Sequence, residues 1–345
     1  MTRILYGLCG VGIGHAIRGR VIIEELIKNN DVMIICSSKP YEYLKQYFGN
    51  VHKIEGFELV FRNNSIVDYL TLFKNLKKIN KLNFESIYEL LDKFRPDLVI
   101  SDWETFSSFY AKKKNIPLIS VDNQHFLVSG NLDFPKRYYF DYLKTKIMIN
   151  ILTKKADYDI ITSFYETKLK RAYKNVFLVP PVLRKEILKA KTKKENYVLV
   201  YQSTNTYEEL IDVLKDVDER FIIYGFEKEH KEKNLEFKRF NEKEFLKDLI
   251  NCKALICNGG FTLISEAIYL KKPLLTAPIK KHFEQLINCL YVYKKGYGEC
   301  YFDLNKEKVF KFVNNLDKYK KADKKQKDNK IIFNLLNNII KKGEK

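Results

Sequence analysis

The sequence has no long apolar run. None of its apolar stretches approaches the length of about 18 residues that a membrane-spanning helix needs. The apolar start at 4–9 is soon interrupted by Gly12, His15 and Arg18. This pattern indicates a buried strand that leads into a loop and a helix, and not a signal peptide. We therefore expect a cytoplasmic protein, with the inner face of the membrane as an alternative location.

The sequence also lacks the cysteine patterns of a metal site. None of its six cysteines forms a C-x-x-C pair or a cysteine–histidine cluster with zinc spacing. Most of them lie within apolar runs, as small core residues do. We therefore predict no bound metal, and we predict reduced thiols at Cys9, Cys36, Cys252, Cys257, Cys289 and Cys300.

A third absence concerns nicotinamide cofactors. The run Cys9–His15 (C-G-V-G-I-G-H) follows the first predicted strand and superficially resembles a dinucleotide-binding fingerprint. That fingerprint also requires an acidic residue at the end of the second strand, where this sequence has C-S-S at 36–38. We therefore expect no cofactor, and we assign Gly12 and Gly14 to contacts with the diphosphate group of a substrate.

The formal net charge of +19 has three interpretations. The favoured one is lysine spread over solvated faces, because basic residues lie along the whole chain and become denser only at Lys318–Lys330. Attraction to an anionic membrane or to a phosphorylated substrate comes second. Nucleic-acid binding comes last, because the sequence contains no recognised nucleic-acid module.

The order of predicted elements indicates an α/β fold. Short apolar strands alternate with helices, one of them long and covering about Ile66–Phe94, and the pattern starts again at Tyr197. Such alternation is typical of parallel βαβ units. We predict two Rossmann-like domains that face each other across a cleft, with ligands at the carboxyl ends of the strands. The predicted boundaries are 1–183 for the first domain, 184–196 for a proline- and lysine-rich linker, 197–322 for the second domain and 323–345 for a lysine-flanked helix.

The segment Asn258–Ala267 (N-G-G-F-T-L-I-S-E-A) has the most informative pattern. It follows a predicted strand and opens a predicted helix. The two glycines allow a tight turn and a close approach of a ligand, and the first N–H groups of the helix suit a diphosphate. Glu266 lies one helical turn beyond Thr262, where its carboxylate could accept from both hydroxyls of a ribose. The structural alternative is a glycine turn before an amphipathic helix, with Glu266 on the solvated face.

Two further groups of polar residues belong to the second predicted domain. Glu284 and Gln285 begin a helix and could bind sugar hydroxyls, with His282 and Asn288 beside them; a charged helix cap is the alternative. The loop at 201–205 (Y-Q-S-T-N) offers the hydroxyls of Ser203 and Thr204 to a diphosphate, or it forms a helix N-cap.

Several of these segments, in this order, resemble one known family. The runs G-G-F-T-L-I-S-E-A, K-P, A-P, H-F-E-Q-L-I-N and K-K-G-Y-G look like the donor-binding signature of GT-B glycosyltransferases, similar to MurG-type N-acetylglucosaminyl transferases and UDP-glycosyltransferases. The resemblance implies that Glu266 binds the ribose and that Glu284 and Gln285 bind the transferred sugar. It implies that the diphosphate is held by Asn258, Gly259, Gly260, Phe261 and Thr262, although many plant-type members have histidine in place of Asn258.

His15 is the candidate base of the first domain. The run G-I-G-H-A-I-R at 12–18 resembles the G-H-x-x-P loop of the same family, with Arg18 in place of proline. Asp102, after the predicted strand 97–101, resembles the aspartate that orients that histidine. The resemblance implies that His15 removes the proton of an acceptor hydroxyl while Asp102 holds the imidazole. Helix capping is the alternative for both residues.

Together these residues predict a metal-independent, inverting hexosyltransferase. It would move a sugar from a nucleotide diphosphate, expected to be UDP, to an acceptor hydroxyl without a cofactor. A lipid-linked acceptor or an anionic membrane surface would suit the positive charge and the aromatic and basic stretch at 127–152. The alternatives are a UDP-sugar 2-epimerase on the same fold and, less favoured, a non-enzymatic nucleic-acid-binding or scaffold protein.

Overall fold

The computed structural model describes residues 1–79, 84–170, 175–319 and 328–343. The strands are β1 (Arg3–Leu8), β2 (Asp31–Cys36), β3 (Val51–Lys53), β4 (Phe61–Arg62), β5 (Ser65–Ile66), β6 (Leu98–Asp102), β7 (Leu118–Asp122), β8 (Tyr158–Thr162), β9 (Val176–Val179), β10 (Val198–Tyr201), β11 (Phe221–Tyr224), β12 (His230–Glu232), β13 (Leu235–Lys238), β14 (Ala254–Cys257), β15 (Leu274–Thr276) and β16 (Gly298–Cys300). The α-helices are α1 (Gly14–Leu26), α2 (Ser38–Leu44), α3 (Asp68–Ile79), α4 (Phe84–Phe94), α5 (Thr105–Lys114), α6 (Phe126–Ser129), α7 (Tyr139–Leu152), α8 (Lys185–Leu188), α9 (Glu209–Lys215), α10 (Glu242–Asn251), α11 (Phe261–Tyr269), α12 (Phe283–Lys294), α13 (Lys306–Val313) and α14 (Lys330–Gly343).

The chain divides into two compact units. Unit 1 comprises Met1–Val60, Asp68–Leu183 and Asp328–Lys345, and unit 2 comprises Phe61–Val67 and Arg184–Lys327. The main boundary therefore falls between residues 183 and 184, where the predicted first domain ends. The predicted linker at 184–196 instead lies within unit 2, where α8 places the side chain of Ile187 in a fully buried position.

Unit 1 is built around a parallel sheet. Its described strands follow the order β3-β2-β1-β6-β7-β8-β9, and every neighbouring pair is parallel. The strands β1, β2, β6 and β7 are almost wholly buried, whereas the edge strands β3 and β9 are mostly half-buried. Separate apolar clusters cover the sheet. The strand order reverses direction between β1 and β6, which is the position where α/β sheets of this kind bind ligands.

The C-terminal helix α14 completes the core of unit 1. Ile332, Leu336, Ile339 and Ile340 are buried in the same cluster as residues of β1, β2 and α1. The segment predicted at 323–345 as a separate helix therefore belongs to unit 1 from Asp328 onward. Residues 320–327, which hold part of the basic stretch Lys318–Lys330, lie outside the described residues.

Unit 2 repeats the architecture with one added hairpin. Its main sheet follows the order β12-β13-β11-β10-β14-β15-β16, in which only the described pair β12–β13 is antiparallel. The hairpin β4–β5 comes from the first half of the sequence and joins unit 2 through bonds between Ile66, Asn64 and Lys280. The predicted α/β fold class is thus confirmed in both units.

The long helix predicted at Ile66–Phe94 is replaced by two helices among the described residues. Ile66 belongs to β5, α3 begins at Asp68, and α4 ends at Phe94, while residues 80–83 of the predicted helix lie outside the described part. Phe61–Val67 is held in unit 2, so the helix cannot extend back through Ile66.

All six cysteines are free thiols, and five of them are buried.

Candidate active site

The switch point of unit 1 brings His15 and Asp102 together. Asp102 is the last residue of β6, and its backbone oxygen accepts from the N–H of Cys9 at 3.0 Å, just after β1. His15 lies in the first turn of α1, which begins at Gly14. The two side chains meet with His15 Nδ1 at 2.7 Å from Asp102 Oδ1, and the carboxylate is fully buried. The residues that sequence reasoning paired are therefore in contact.

Arg18 is the second partner of the Asp102 carboxylate. Its Nε donates to Asp102 Oδ2 at 3.0 Å, and its Nη2 donates to Oδ1. A further bond from Nη1 to Asn123 Oδ1, 3.1 Å long, fixes the guanidinium from the neighbouring strand end. Arg18 is 2% exposed, so this cation and its carboxylate form a buried pair. Sequence reasoning noted Arg18 only as a replacement for proline.

The contacts around the imidazole define its protonation pattern. An ionised carboxylate only accepts hydrogen bonds, so the short contact with Asp102 requires the proton of His15 on Nδ1. The other ring nitrogen, Nε2, then carries a lone pair and lies 3.3 Å from Nε2 of Gln124, an amide donor. Trp103 stacks beside the ring at a centroid distance of 6.3 Å. With its proton on Nδ1, the ring has Nε2 as the nitrogen that can accept a proton.

Gly12 and Gly14 lie in the loop that leads to His15. Gly12 is exposed and has a positive φ of 81°, a backbone conformation that favours glycine. A Cβ on Gly12 would meet no described atom within 4 Å, so the backbone there is open to approach by a ligand. The diphosphate contact assigned to both glycines stays a prediction.

The glycine turn of unit 2 follows β14 at the switch point of the second sheet, between β10 and β14. A Cβ on Gly259 would lie 2.4 Å from the backbone oxygen of Gln285, so only glycine fits there. Gly260 is exposed, and a Cβ on it would meet no described atom within 4 Å. Gly260 is the N-cap of α11 and has no side chain that could cap the helix. The turn thus presents a helix N-terminus, which is suited to binding a phosphate group.

Three amide side chains brace this turn from within. Asn258 Oδ1 accepts from the N–H of Ser203 at 2.8 Å, and its Nδ2 donates to the carbonyl of Ala277. Gln285 Oε1 accepts from Gly259 N at 3.2 Å and from Ile279 N at 3.1 Å. Asn288 is 3% exposed, and its Nδ2 donates to the carbonyl of Gly259 at 2.9 Å. These bonds hold the ends of β10, β14 and β15 in one loop cluster.

Glu266 lies in a buried ion pair. Arg184 donates from Nε to Glu266 Oε1 at 2.7 Å and from Nη2 to Oε2 at 2.6 Å, and both side chains are 1% exposed. The same guanidinium also donates to Glu242 at 2.8 Å. The predicted solvated position of the alternative interpretation is therefore wrong, because the carboxylate faces the protein interior. Each oxygen keeps a second acceptor position, and the predicted ribose contact would have to use it.

The remaining predicted residues of unit 2 differ in their exposure. His282 and Glu284 are half-buried at the start of α12, and burial lowers the pKa of the His282 imidazole. Ser203 is exposed, and its hydroxyl donates to Asn258 Oδ1 at 3.1 Å. Thr204 contacts the hydroxyl of Thr206 at 3.0 Å. Phe261 and Thr262 are buried in the first turn of α11. None of these contacts tests the assigned ligand roles, which stay predictions.

Sequence reasoning missed residues that act through distant partners. Arg184 falls in the predicted linker, and Gln124 had no assigned role. The hairpin containing Asn64 lies within the predicted first domain in sequence but belongs to unit 2 in the structure. Asn64 donates its N–H to the hydroxyl of Thr206 at 3.1 Å, next to the loop after β10. A buried arginine beside two prolines gives a weak signal at best, and no local pattern indicates the hairpin.

The comparisons with known proteins identify the family of this chain. The sequence signature of glycosyl transferase family 1 matches residues 2–317. The chain belongs to this family. It is also similar to an uncharacterized glycosyltransferase of Methanosarcina mazei, with 23% identity over 324 residues that cover 86% of this chain and 84% of the relative. A similar protein of Methanosarcina acetivorans, also described as an uncharacterized glycosyltransferase, is 21% identical over 332 residues, with coverage of 86% and 83%.

Solved structures confirm the predicted GT-B fold of this glycosyltransferase. MurG of Acinetobacter baumannii superimposes with a TM-score of 0.60 at 14% identity, covering 97% of this chain and 99% of that one. A UDP-glucosyltransferase from Polygonum tinctorium gives a TM-score of 0.67 at 12% identity, covering 100% and 99%. At such low identity the likeness establishes the fold alone.

The described residues offer no candidate for a membrane-spanning helix or for a metal site. Within that part of the chain, no helix combines the length and the apolar character that crossing a membrane requires. The same residues contain no group of three or more histidine, cysteine, aspartate or glutamate side chains placed to hold a metal ion. The predicted metal independence of the reaction stays a prediction.

Proposed function

We propose that this glycosyltransferase moves a hexose from a UDP-linked donor to an acceptor hydroxyl with inversion of the anomeric configuration. The observation that supports the proposal most is the pair of His15 Nδ1 and Asp102 Oδ1, 2.7 Å apart. The lone pair on Nε2, which the Gln124 amide contacts at 3.3 Å, would be the proton acceptor once an acceptor hydroxyl takes the place of that amide. Unit 1 would activate the acceptor, and unit 2 would bind the donor. No cofactor takes part.

The proposed step is a single displacement. His15 Nε2 takes the proton of the acceptor hydroxyl as its oxygen forms a bond to the anomeric carbon. The bond from that carbon to the diphosphate oxygen breaks, and the electron pair leaves with the nucleotide diphosphate. Asp102 stabilises the imidazolium that forms. The N–H groups at the start of α11 stabilise the leaving diphosphate, so the step needs no metal ion.

The donor is proposed to bind along the glycine turn and α11. The glycine N-cap of α11 and the open backbone at Gly260 support binding of the diphosphate there. The ribose hydroxyls would donate to the free acceptor positions of Glu266. His282, Glu284 and the amide nitrogen of Gln285 are proposed to bind the sugar. A thermal-shift panel of nucleotides and nucleotide sugars tests this, because a ligand of the folded state raises Tm. A larger shift with UDP-sugars than with other nucleotides is expected, and no shift with any of them would refute it.

The base is tested by His15→Ala and Asp102→Asn. General-base catalysis contributes about 10²–10⁴-fold, so H15A should lose at least a hundredfold in kcat while its thermal shift with the donor is kept. Wild-type turnover in H15A, or NMR of the product that reveals retained configuration, would refute the mechanism. Donor turnover in the absence of any acceptor, with epimerised sugar as the product, would instead support the 2-epimerase alternative.

The surface of α7 supports a membrane-bound or lipid-linked acceptor. Within α7, whose residues are all described, Ile149 alone is buried. Phe140, Ile147 and Ile151 share one helix face and are 84%, 57% and 64% exposed. Soluble helices usually expose their polar face. Exposed basic residues flank this face beyond the two ends of α7, at Lys136, Arg137, Lys154 and Lys155. Lys144 lies on the face itself, where it pairs with Asp68.

We propose that this apolar face, bounded by basic residues, lies on an anionic bilayer at the cytoplasmic side. Such helices bind membranes through apolar burial together with attraction to anionic lipids. The test is co-sedimentation with vesicles of phosphatidylglycerol and phosphatidylcholine at low salt. The variant F140D/I151D should lose at least tenfold in binding. The control F310D, at an exposed phenylalanine of α13, should bind like the wild type. Absence of wild-type binding would refute the proposal.

A further inference from the structure

Unit 1 contains two histidine–aspartate pairs of nearly the same geometry. His15 and Asp102 meet at 2.7 Å at the end of β6, and His125 and Asp122 meet at 2.6 Å at the end of the neighbouring strand β7. Both carboxylates are fully buried. Because the two pairs have nearly the same geometry, any difference in the protonation of their histidines must come from the residues around each pair.

The pair at β7 has no hydrogen-bonded cation besides its histidine among the described residues. Asp122 accepts from the hydroxyl of Ser120 at 2.9 Å and from the backbone N–H of His125. Burial lowers the pKa of His125, but the Asp122 carboxylate outweighs it and, with a smaller contribution from Asp159, raises the pKa to about 9. His125 is therefore a cation at neutral pH and cannot take up a proton there.

The pair at β6 has Arg18. Its guanidinium donates to both oxygens of Asp102, and its Nη2 lies 3.2 Å from His15 Nδ1. Because Nδ1 already carries a proton for Asp102, this approach brings two donors together and is not a hydrogen bond. A permanent cation so close to the ring, in a buried site, disfavours a second positive charge on the imidazole.

We propose that Arg18 is a positioning residue that neutralises Asp102 and thereby keeps His15 an uncharged imidazole before the acceptor binds. The inference rests on the proposed role of His15 as the base. With Arg18 in place, Asp102 fixes the imidazole without drawing a proton onto Nε2. Without Arg18, the Asp102 carboxylate would draw a proton onto His15 as Asp122 does onto His125, and the base would be occupied by a proton at neutral pH.

Other groups around His15 do not replace this function. Tyr6 on β1 is buried, and its pKa is raised by burial and then by Asp102, so its hydroxyl is uncharged. Asp122 on β7 acts on Arg18 through space, while Gln124 and Trp103 are uncharged. Arg18 and Asp102 are thus the charged groups in direct contact with His15 in the described structure.

The test is ¹⁵N NMR of the histidine rings in the ligand-free protein. The chain has five histidines, so His15→Gln identifies the His15 signals. In the wild type at pH 7, His15 should be neutral with its proton on Nδ1. In R18Q it should be protonated, with its titration moved up by at least one pH unit. R20Q is the matched control, because Arg20 is also buried on α1 but stacks on Tyr47 instead. An unchanged His15 titration in folded R18Q overturns the proposal.

Kinetics provide a second readout that a structural role would not produce. In R18Q, the acid limb of kcat/KM should move to higher pH, with at least a tenfold loss on that limb that is regained at high pH. R18K keeps the cation and should keep the wild-type pH profile at a lower kcat. An equal loss at every pH would overturn the proposal. Full turnover in H15A would refute the base itself, and the NMR result would still decide the effect of Arg18 on the imidazole.

Discussion

Replacing Arg184 should destabilise unit 2 strongly. Arg184 and Glu266 are both 1% exposed, and the guanidinium bonds to both carboxylate oxygens at 2.7 and 2.6 Å. Arg184→Met leaves the Glu266 carboxylate buried without its cation, and removal of one partner of a buried pair costs about 3–5 kcal/mol. Because domains are stable by only about 5–15 kcal/mol, this is a large share of the stability of unit 2.

Urea unfolding followed by two signals shows which unit loses stability in R184M. Trp103 is the only tryptophan of the sequence and lies in unit 1, so its fluorescence follows unit 1 while far-UV circular dichroism follows both units. R184M should lower the midpoint of the dichroism change assigned to unit 2. R239M is the matched control, because Arg239 is exposed and 3.9 Å from Glu229, and exposed substitutions stay within about 0.5 kcal/mol.

A double variant tests the physical reason. R184M/E266L replaces both charges by apolar side chains, and such replacements of buried pairs are often neutral or stabilising. Most of the stability lost in R184M should therefore return. If R184M unfolded with the same urea midpoint as the wild type, the reasoning would be refuted. The restored double variant should also show a donor KM raised at least tenfold, because it lacks the carboxylate proposed to bind the ribose.

Three further predictions concern stability. His125→Gln should lower the free energy of unfolding by about 3 kcal/mol below pH 6.5, and this loss should vanish as the pH rises through 9. The reason is that the folded pKa of about 9 lies above the ordinary 6.5, so the stabilisation requires the protonated ring. Urea midpoints between pH 6 and 10 measure this loss. Leu336→Ala in the core face of α14 should cost about 2–5 kcal/mol by urea unfolding, whereas Ile331→Ala, 59% exposed on the same helix, should cost little. Gly259→Ala should lower Tm because its Cβ would lie 2.4 Å from a backbone oxygen, and Gly260→Ala, with no described atom within 4 Å, should not.

The sheets were predictable because their signals are local. Runs such as 32–36 are apolar throughout, and all but the first residue of β2 are buried. The boundary at 183 also follows from local composition. The assignment of α14 and of the hairpin β4–β5 to their units was not predictable, because it depends on packing between segments far apart in sequence.

In the site of unit 1, the pair of His15 and Asp102 was predictable from the sequence, but the role of Arg18 as a third member was not. His15 follows β1 and Asp102 ends β6, and the carboxyl ends of neighbouring parallel strands bring such residues together. Arg18 lies one turn after His15 on α1, so its position was available from helical spacing. Its target was not, because a guanidinium at that place could equally have faced a substrate phosphate.

The amide side chains of unit 2 illustrate why ligand contacts are hard to separate from structural bonds. Asn258, Gln285 and Asn288 were assigned to the substrate, yet each bonds to a loop between 19 and 55 residues away. A structural hydrogen bond and a ligand contact use the same side-chain atoms, but losing them has different effects on Tm and on the donor KM. Gln285→Ala removes the acceptor shared by Gly259 and Ile279 and leaves two N–H groups unpaired at about 1–3 kcal/mol each. It should therefore lower Tm and raise the donor KM together, whereas a raised KM at an unchanged Tm would show that Gln285 only contacts the sugar.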